Sequence, residues 1–287
     1  MALPLGVMSV FVGLAIWAAW VVYGILRGRF IPALLFGVLL MLYLNVGYVI
    51  NGPAASIANF VGIYDVLINL GLSDPSAAAA VAACPENSCS VWGETYTNHP
   101  AWGVAFYDRF ANGPEMRSTL LMGHIICNSI VFVLMHVQMF HPGGTSRSHA
   151  LLGRISFAVL TVGVGCAAIL ASQHGPVAEY GGALSTWGFY SMSACVYACA
   201  VLGVLAIRQG DAARHRIWMW RFLGSMWGSF WLFRVVLFVI DPIFRDINSL
   251  AILICIWGSA PAGILIAECI RRRVDARMPA RQPVAAE

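Results

Sequence analysis

Lysine is absent from this chain: all 17 basic residues are arginine, set against 13 acidic residues in 287 positions. Charge of either sign is scarce, with 10% of residues charged and 60% hydrophobic, and the mean hydropathy is +0.77. Soluble domains carry about 25% charged residues, so this shortage excludes one and puts the chain in a bilayer. The net charge of +4 is then no sign of nucleic-acid binding, because arginine in a membrane protein chiefly encodes orientation. Arginine suits interfacial and bidentate contacts, although a GC-rich genome produces the same bias. Hydrolytic chemistry has no support: there is no H-E-x-x-H, no G-x-S-x-G and no pair of carboxylates inside a span. Neither an inverted repeat nor paired broken helices mark a secondary transporter, although Pro261 falls inside the last span. The N-terminus lacks the basic region of a cleaved signal peptide, and tandem repeats are missing.

What the chain does contain is long apolar runs. Windows of about twenty apolar residues give seven candidate spans, 4–26, 31–50, 117–139, 150–172, 183–207, 218–239 and 248–270. The expected fold class is therefore all-α, a polytopic membrane bundle with a four-helix core over 117–239. Residues 1–50 form two accessory helices, 51–116 a loop, and 240–287 the last helix with a basic tail. Within the loop, Ile57, Phe60, Tyr64, Leu67 and Gly71 recur at helical spacing, which predicts a short interfacial helix.

Arginine also orients the bundle. Of the 17, 13 fall on alternate connections: Arg27 and Arg29, Arg147 and Arg154, Arg208 to Arg221, and five after the last span. The opposite connections hold Arg109, Arg117 and Arg245. Positive-inside bias then puts the N-terminus outside and the C-terminus in the cytoplasm. The 51–116 loop faces the oxidising side, where Cys84 and Cys89 of "CPENSC" can pair across a small loop. The remaining cysteines fall within spans as small packing residues.

Polar residues cluster on two cytoplasmic connections. "HPGGTSRSHALLGR" supplies His141, Arg147, His149 and Arg154; "GDAARHRIWMWR" supplies His215, Arg216 and Arg221. Arginine and tryptophan at helix entrances are ordinary membrane anchors, but two histidines at two helix mouths point to a shared site. The pattern H-A-L-L-G-R at 149–154, followed by R-x-G-D-x-x-x-H-R-x-W-M-x-R from Arg208 to Arg221, resembles a bacterial family of predicted integral membrane proteins of unknown function. The resemblance covers about residues 117–239 and implies residence in the bacterial cytoplasmic membrane.

Inside the spans, His124, Asn128 and Gln138 lie on one helix face running about 21 Å through the bilayer at 1.5 Å per residue. His136 points elsewhere and reads as a satisfied or snorkelling histidine. Trp220, Trp227, Trp231 and Arg234 form one stripe on the sixth span, and no acidic residue lies in the first six spans to neutralise Arg234. His124 and Arg234 enter from the same side at similar depth, so they can meet directly or grip one ligand.

These groups suit a membrane redox protein binding haem b, a quinone, or both. His149 and His215 would ligate one iron, with His124 toward a second site partnered by His174 or Met192, and Arg154, Arg221, Arg234 and Gln138 holding polar groups. The arrangement looks like the cytochrome b561 type of bundle. It departs from that type in placing His149 and His215 at helix mouths and none on the fifth span. Two rival classes stay open: a lipid-binding or transport protein using the His/Arg patch, and an accessory subunit of a larger membrane complex. The orientation has a direct test. A cysteine introduced at Ala212 should resist an impermeant thiol reagent in intact cells; labelling from outside would reverse the topology.

Overall fold

The computed structural model describes residues 5–69, 115–140, 147–172, 183–235 and 248–277, and every described element is helical. In chain order these are α1 (Leu5–Arg27), α2 (Ile31–Asn69), α3 (Glu115–Phe140), α4 (Arg147–Ser172), α5 (Ala183–Arg208), α6 (Ala212–Trp227) and α7 (Asn248–Arg277). Beyond Trp227, α6 continues through a π-helical turn (Gly228–Leu232) and a last α-helical turn (Phe233–Val235). Among the described residues six helices are long and apolar enough to cross a membrane; the π-turn divides the other, α6. The fold is the polytopic helical bundle expected, and the protein is a multi-pass membrane protein. Apolar side chains such as Leu39, Val162, Trp187 and Leu265 face outward, as lipid contact requires.

Helix boundaries follow local chemistry. α2 breaks at Gly52, whose φ of 78° and ψ of 170° are not helical, and the chain then re-enters helix over 53–69, within the loop where a short helix was expected. α5 ends in a Schellman motif: Gly210 has φ +78°, its N–H donates to Ile207 O at 3.1 Å, and Asp211 N–H donates to Ala206 O at 3.0 Å. Asp211 then caps α6, its Oδ1 accepting from Arg214 N–H at 2.8 Å. α6 thus starts six residues before the span expected at 218, because a window of apolarity cannot see a capped but polar first turn. Cys84 and Cys89, His141 and His174 lie outside the described residues.

Sequential helices pack as neighbours, α3 on α4 and α5 on α6, while α7 closes on both α5 and α6. The main core runs beyond the 117–239 unit, joining Met41 of α2 to Val131 and Phe132 of α3, Leu160 of α4, Val196 of α5 and Met226 and Trp231 of α6. Trp17 of α1 stacks on Trp231 at 4.7 Å and on Trp227 at 6.0 Å.

The closest contact is between α6 and α7. A Cβ at Gly228 would collide with the Ser259 carbonyl, one at Gly224 with the Gly263 carbonyl, and one at Gly263 with the Gly224 carbonyl. Gly224 and Gly228 thus form a G-x-x-x-G face against Ser259 and Gly263, the small-residue interface that membrane helices use because lipid supplies no hydrophobic drive. Gly228→Ala and Gly263→Ala should each cost about 3 kcal/mol through overpacking. Gly258→Ala on the same helix, where a Cβ meets nothing within 4 Å, should be neutral or slightly stabilising. Unfolding in mixed detergent micelles measures all three, and equal behaviour would show that the contact does not limit stability.

Candidate functional site

At the arginine-rich end, the polarity of "GDAARHRIWMWR" binds α6 to its neighbours. His215 Nδ1–H donates to Gly203 O on α5 at 2.8 Å, which fixes the tautomer and leaves the Nε2 lone pair for another partner. Met219, one turn on, lies against Gly203. Arg216 hydrogen-bonds Asp275 on α7, and Arg221 Nε lies 3.7 Å from Glu268 while its guanidinium covers Trp218 at 4.6 Å. Arg271 bonds Glu268 at 2.6 and 3.2 Å and Asp275 at 2.6 Å. Most of the motif therefore has a structural use in addition to any binding use.

On α4, His149 is half-buried and Arg154 is exposed at the same end of the bundle. α4 packs on α3 and α5, and α6 on α5 and α7, so His149 and His215 come from helices that share α5 as a neighbour. Gln138 Nε2 donates to Ser156 Oγ on α4 at 3.0 Å.

Deeper, a polar layer crosses the bundle. His124 Nδ1 lies 2.9 Å from Asn128 Nδ2 and 3.2 Å from Gly163 O on α4. With Gln138 on Ser156, the three residues of the expected α3 face all turn toward α4. The two contacts of His124 compete: protonated, Nδ1 donates to Gly163 O; unprotonated, it accepts from Asn128. Asn45 Nδ2 on α2 donates to Ser129 Oγ at 2.8 Å. Arg234 donates to Phe230 O at 3.0 Å and stacks its guanidinium 3.7 Å above the Phe230 ring. Phe132 and Phe230 touch at 6.2 Å between centroids. Asn128 and Arg234 each lie four residues farther from that contact in the same direction, about 6 Å, so they share a depth. Tyr48, His124 and Cys255 are within electrostatic reach of the guanidinium.

The direct bond expected as one alternative between His124 and Arg234 is not formed. Their hydrogen bonds go instead to Gly163 O and Asn128, and to Phe230 O, because helical residues reach their own helix or the nearest neighbour first. The expected satisfied histidine is found: His136, 4% exposed, donates from Nδ1 to Phe132 O at 2.6 Å and accepts at Nε2 from Trp227 Nε1–H at 3.0 Å. Both ring nitrogens are used, so His136 is no ligand. Trp231 differs from its two stacked partners. Trp17 donates to Ala33 O and Trp227 to His136, whereas the buried Trp231 Nε1–H has no acceptor among the described residues. Asn45 and Tyr48 were missed by the sequence reading; a polar residue inside the second span was the signal for Asn45.

Among the described residues no three His, Cys, Asp or Glu side chains converge as a metal-binding group. No family model, curated protein or solved structure matches the chain.

The Trp227–His136 pair makes a test of buried polarity. Trp227→Phe should cost about 1–3 kcal/mol, the penalty for stranding a buried acceptor. Adding His136→Phe should recover part of that loss, because an apolar pair strands nothing. A double variant as unstable as the sum of the singles would show that the two groups are not coupled.

Proposed function

We propose that the protein is an integral membrane redox protein that holds a quinone between its helices, at the layer of His124, Asn128 and Arg234. Arg234 carries the proposal. It is a cation placed well inside a bilayer protein, where a charge costs on the order of 2.5–3.5 kcal/mol at mid-membrane, and no carboxylate pairs with it among the described residues. Its one hydrogen bond to Phe230 O leaves donors for a further acceptor. Three residues before Arg234, the Trp231 N–H also has no acceptor among the described residues.

The residues fit a lipid-soluble molecule with two carbonyl oxygens. A quinone would supply the electron-carrying ring. His124 and Asn128 would hold one oxygen and Arg234 the other, its charge favouring electron-rich forms. The haem form of the reading draws support from His215, whose Nδ1–H···O=C bond orients Nε2 as iron-ligating imidazoles are oriented. His149 would be a second residue holding the iron, which would supply one-electron chemistry. Membership of the bacterial family that the H-A-L-L-G-R and G-D-x-x-x-H-R-x-W-M-x-R motifs resemble belongs to the same proposal. So does residence in the cytoplasmic membrane with the N-terminus outside.

Protein reconstituted in nanodiscs and titrated with a short-chain quinone should show saturable quenching of tryptophan fluorescence. Arg234→Lys and His124→Ala should each weaken binding about tenfold, or about 1.4 kcal/mol, with the double variant little worse. Lysine cannot reproduce the planar, two-pronged contact of arginine. Absence of saturable quenching in the wild type sinks the quinone reading. An oxidised and reduced absorbance scan decides the haem part: with no pigment bands, ligation by His149 and His215 is abandoned.

A further inference from the structure

The arginine-rich end of α6 overhangs the last described turn of α3. His136 meets Trp227, and four residues on from each lie Phe140, where α3 ends, and Leu223 of α6, so these two share a depth. From Leu223 back to Ala212, α6 runs on for about 16 Å at 1.5 Å per residue. Arg221 lies about 3 Å past the end of α3 and Arg216 about 10 Å past it. With the end of the apolar run of α3 taken as the edge of the hydrocarbon, these positions fall at the level of lipid headgroups. α5 and α7 accompany the overhang, α5 through His215 to Gly203 O and α7 through Arg216 to Asp275 and Arg221 to Glu268.

The charges of this overhang do not balance. Four arginines, Arg216, Arg221, Arg271 and Arg272, meet two carboxylates, Glu268 and Asp275. Arg271 takes both oxygens of Glu268 and one of Asp275, so the carboxylates are largely saturated from within α7. Arg221 reaches Glu268 only through Nε at 3.7 Å, and Arg272 reaches it only through Nε at 3.2 Å, with a side chain 73% exposed. Both guanidinium groups converge on one carboxylate while their terminal nitrogens have no partner among the described residues. Trp218 lies under Arg221 at 4.6 Å, the aromatic half of an interfacial anchor.

We propose that this overhang binds the phosphate of an anionic phospholipid, gripped between Arg221 and Arg272. The net positive charge supplies the attraction, Glu268 holds both guanidinium groups at one carboxylate with their terminal nitrogens left over, and the headgroup level favours a lipid over a solute. The site is separate from the quinone layer and does not depend on it.

The test uses the full chain in nanodiscs of phosphatidylcholine, with and without added phosphatidylglycerol, followed by thermal melting. Phosphatidylglycerol should raise the wild-type midpoint by several degrees, as a ligand of the folded state does. Arg272→Gln, exposed enough to leave folding intact, should lose about half of that shift, and Arg221→Gln with Arg272→Gln nearly all of it. Arg214→Gln, exposed on the same helix but outside the cluster, should keep the full shift. The proposal is overturned if phosphatidylglycerol gives no shift, or if both Arg272→Gln and the double variant keep it. It is equally overturned if inorganic phosphate at matched ionic strength reproduces the shift in pure phosphatidylcholine, which would make the site one for a solute.

Discussion

The backbone contact between α6 and α7 is the constraint on which the rest of the molecule depends. Lipid tails are as apolar as leucine, so two membrane helices gain nothing by hiding apolar surface from them. They gain dispersion and carbonyl contacts only by approaching closely, and Gly224, Gly228 and Gly263 are the positions where approach brings carbonyl against backbone. Once that face of α6 is committed to α7, the adjoining face carries its bulk. There stand Trp227, which with Trp17 of α1 fills the space that Gly37 leaves open on α2, and Trp231; both stack with Trp17. The small face and the large face of α6 are two consequences of one contact.

The π-helical turn begins at Gly228, at the end of that glycine face. A π-turn holds one more residue per turn than its α-helical surroundings, so it shifts the direction of every side chain after it. Arg234 is one of these, and its azimuth is set by the bulge as much as by its place in the sequence. The bulge is also where a buried indole N–H, that of Trp231, stands without an acceptor among the described residues. A turn with altered backbone geometry, and a donor and a cation that find no acceptor or carboxylate among the described residues, occur within seven residues. That concentration is what distinguishes the inner layer from ordinary packing, where both nitrogens of His136 are satisfied.

The bundle and the helix over 53–69 were legible from apolar windows and from glycine, because those signals are local. The face shared by His124, Asn128 and Gln138 was legible too, since helical periodicity alone puts the three on one side, and all three turn toward α4. The start of α6 at Ala212 was hidden, although Asp211 announced it, because apolarity begins only near Trp218. Three other features were out of reach. The π-turn leaves no mark in hydrophobic periodicity short enough to separate it from an α-turn. The convergence of Tyr48 with Arg234 depends on helices far apart in the chain. The capture of Arg216 and Arg221 by α7 was missed because Glu268, inside the last span, and Asp275, in the basic tail, were not read as acceptors.

Two arginines on one helix therefore meet opposite conditions. Arg221 and Arg234 are 13 residues apart, about 20 Å along α6. At the headgroup end, water and salt lower the cost of charge, so carboxylates are affordable there and each exposed pair contributes only about 0–1 kcal/mol. Their use is geometric: they hold α6 to α7 in register beyond the point where glycine packing stops. At the Arg234 end, a carboxylate would bring a second desolvation cost of its own, several kcal/mol per ion after relaxation. The fold instead gives Arg234 a carbonyl oxygen and a ring face, partners that are already inside. These offset part of the cost without neutralising the charge. A neutral, oxygen-bearing molecule soluble in the bilayer adds acceptors to such a site without bringing a charge to be desolvated, and that asymmetry favours a quinone over a free anion as the partner of Arg234.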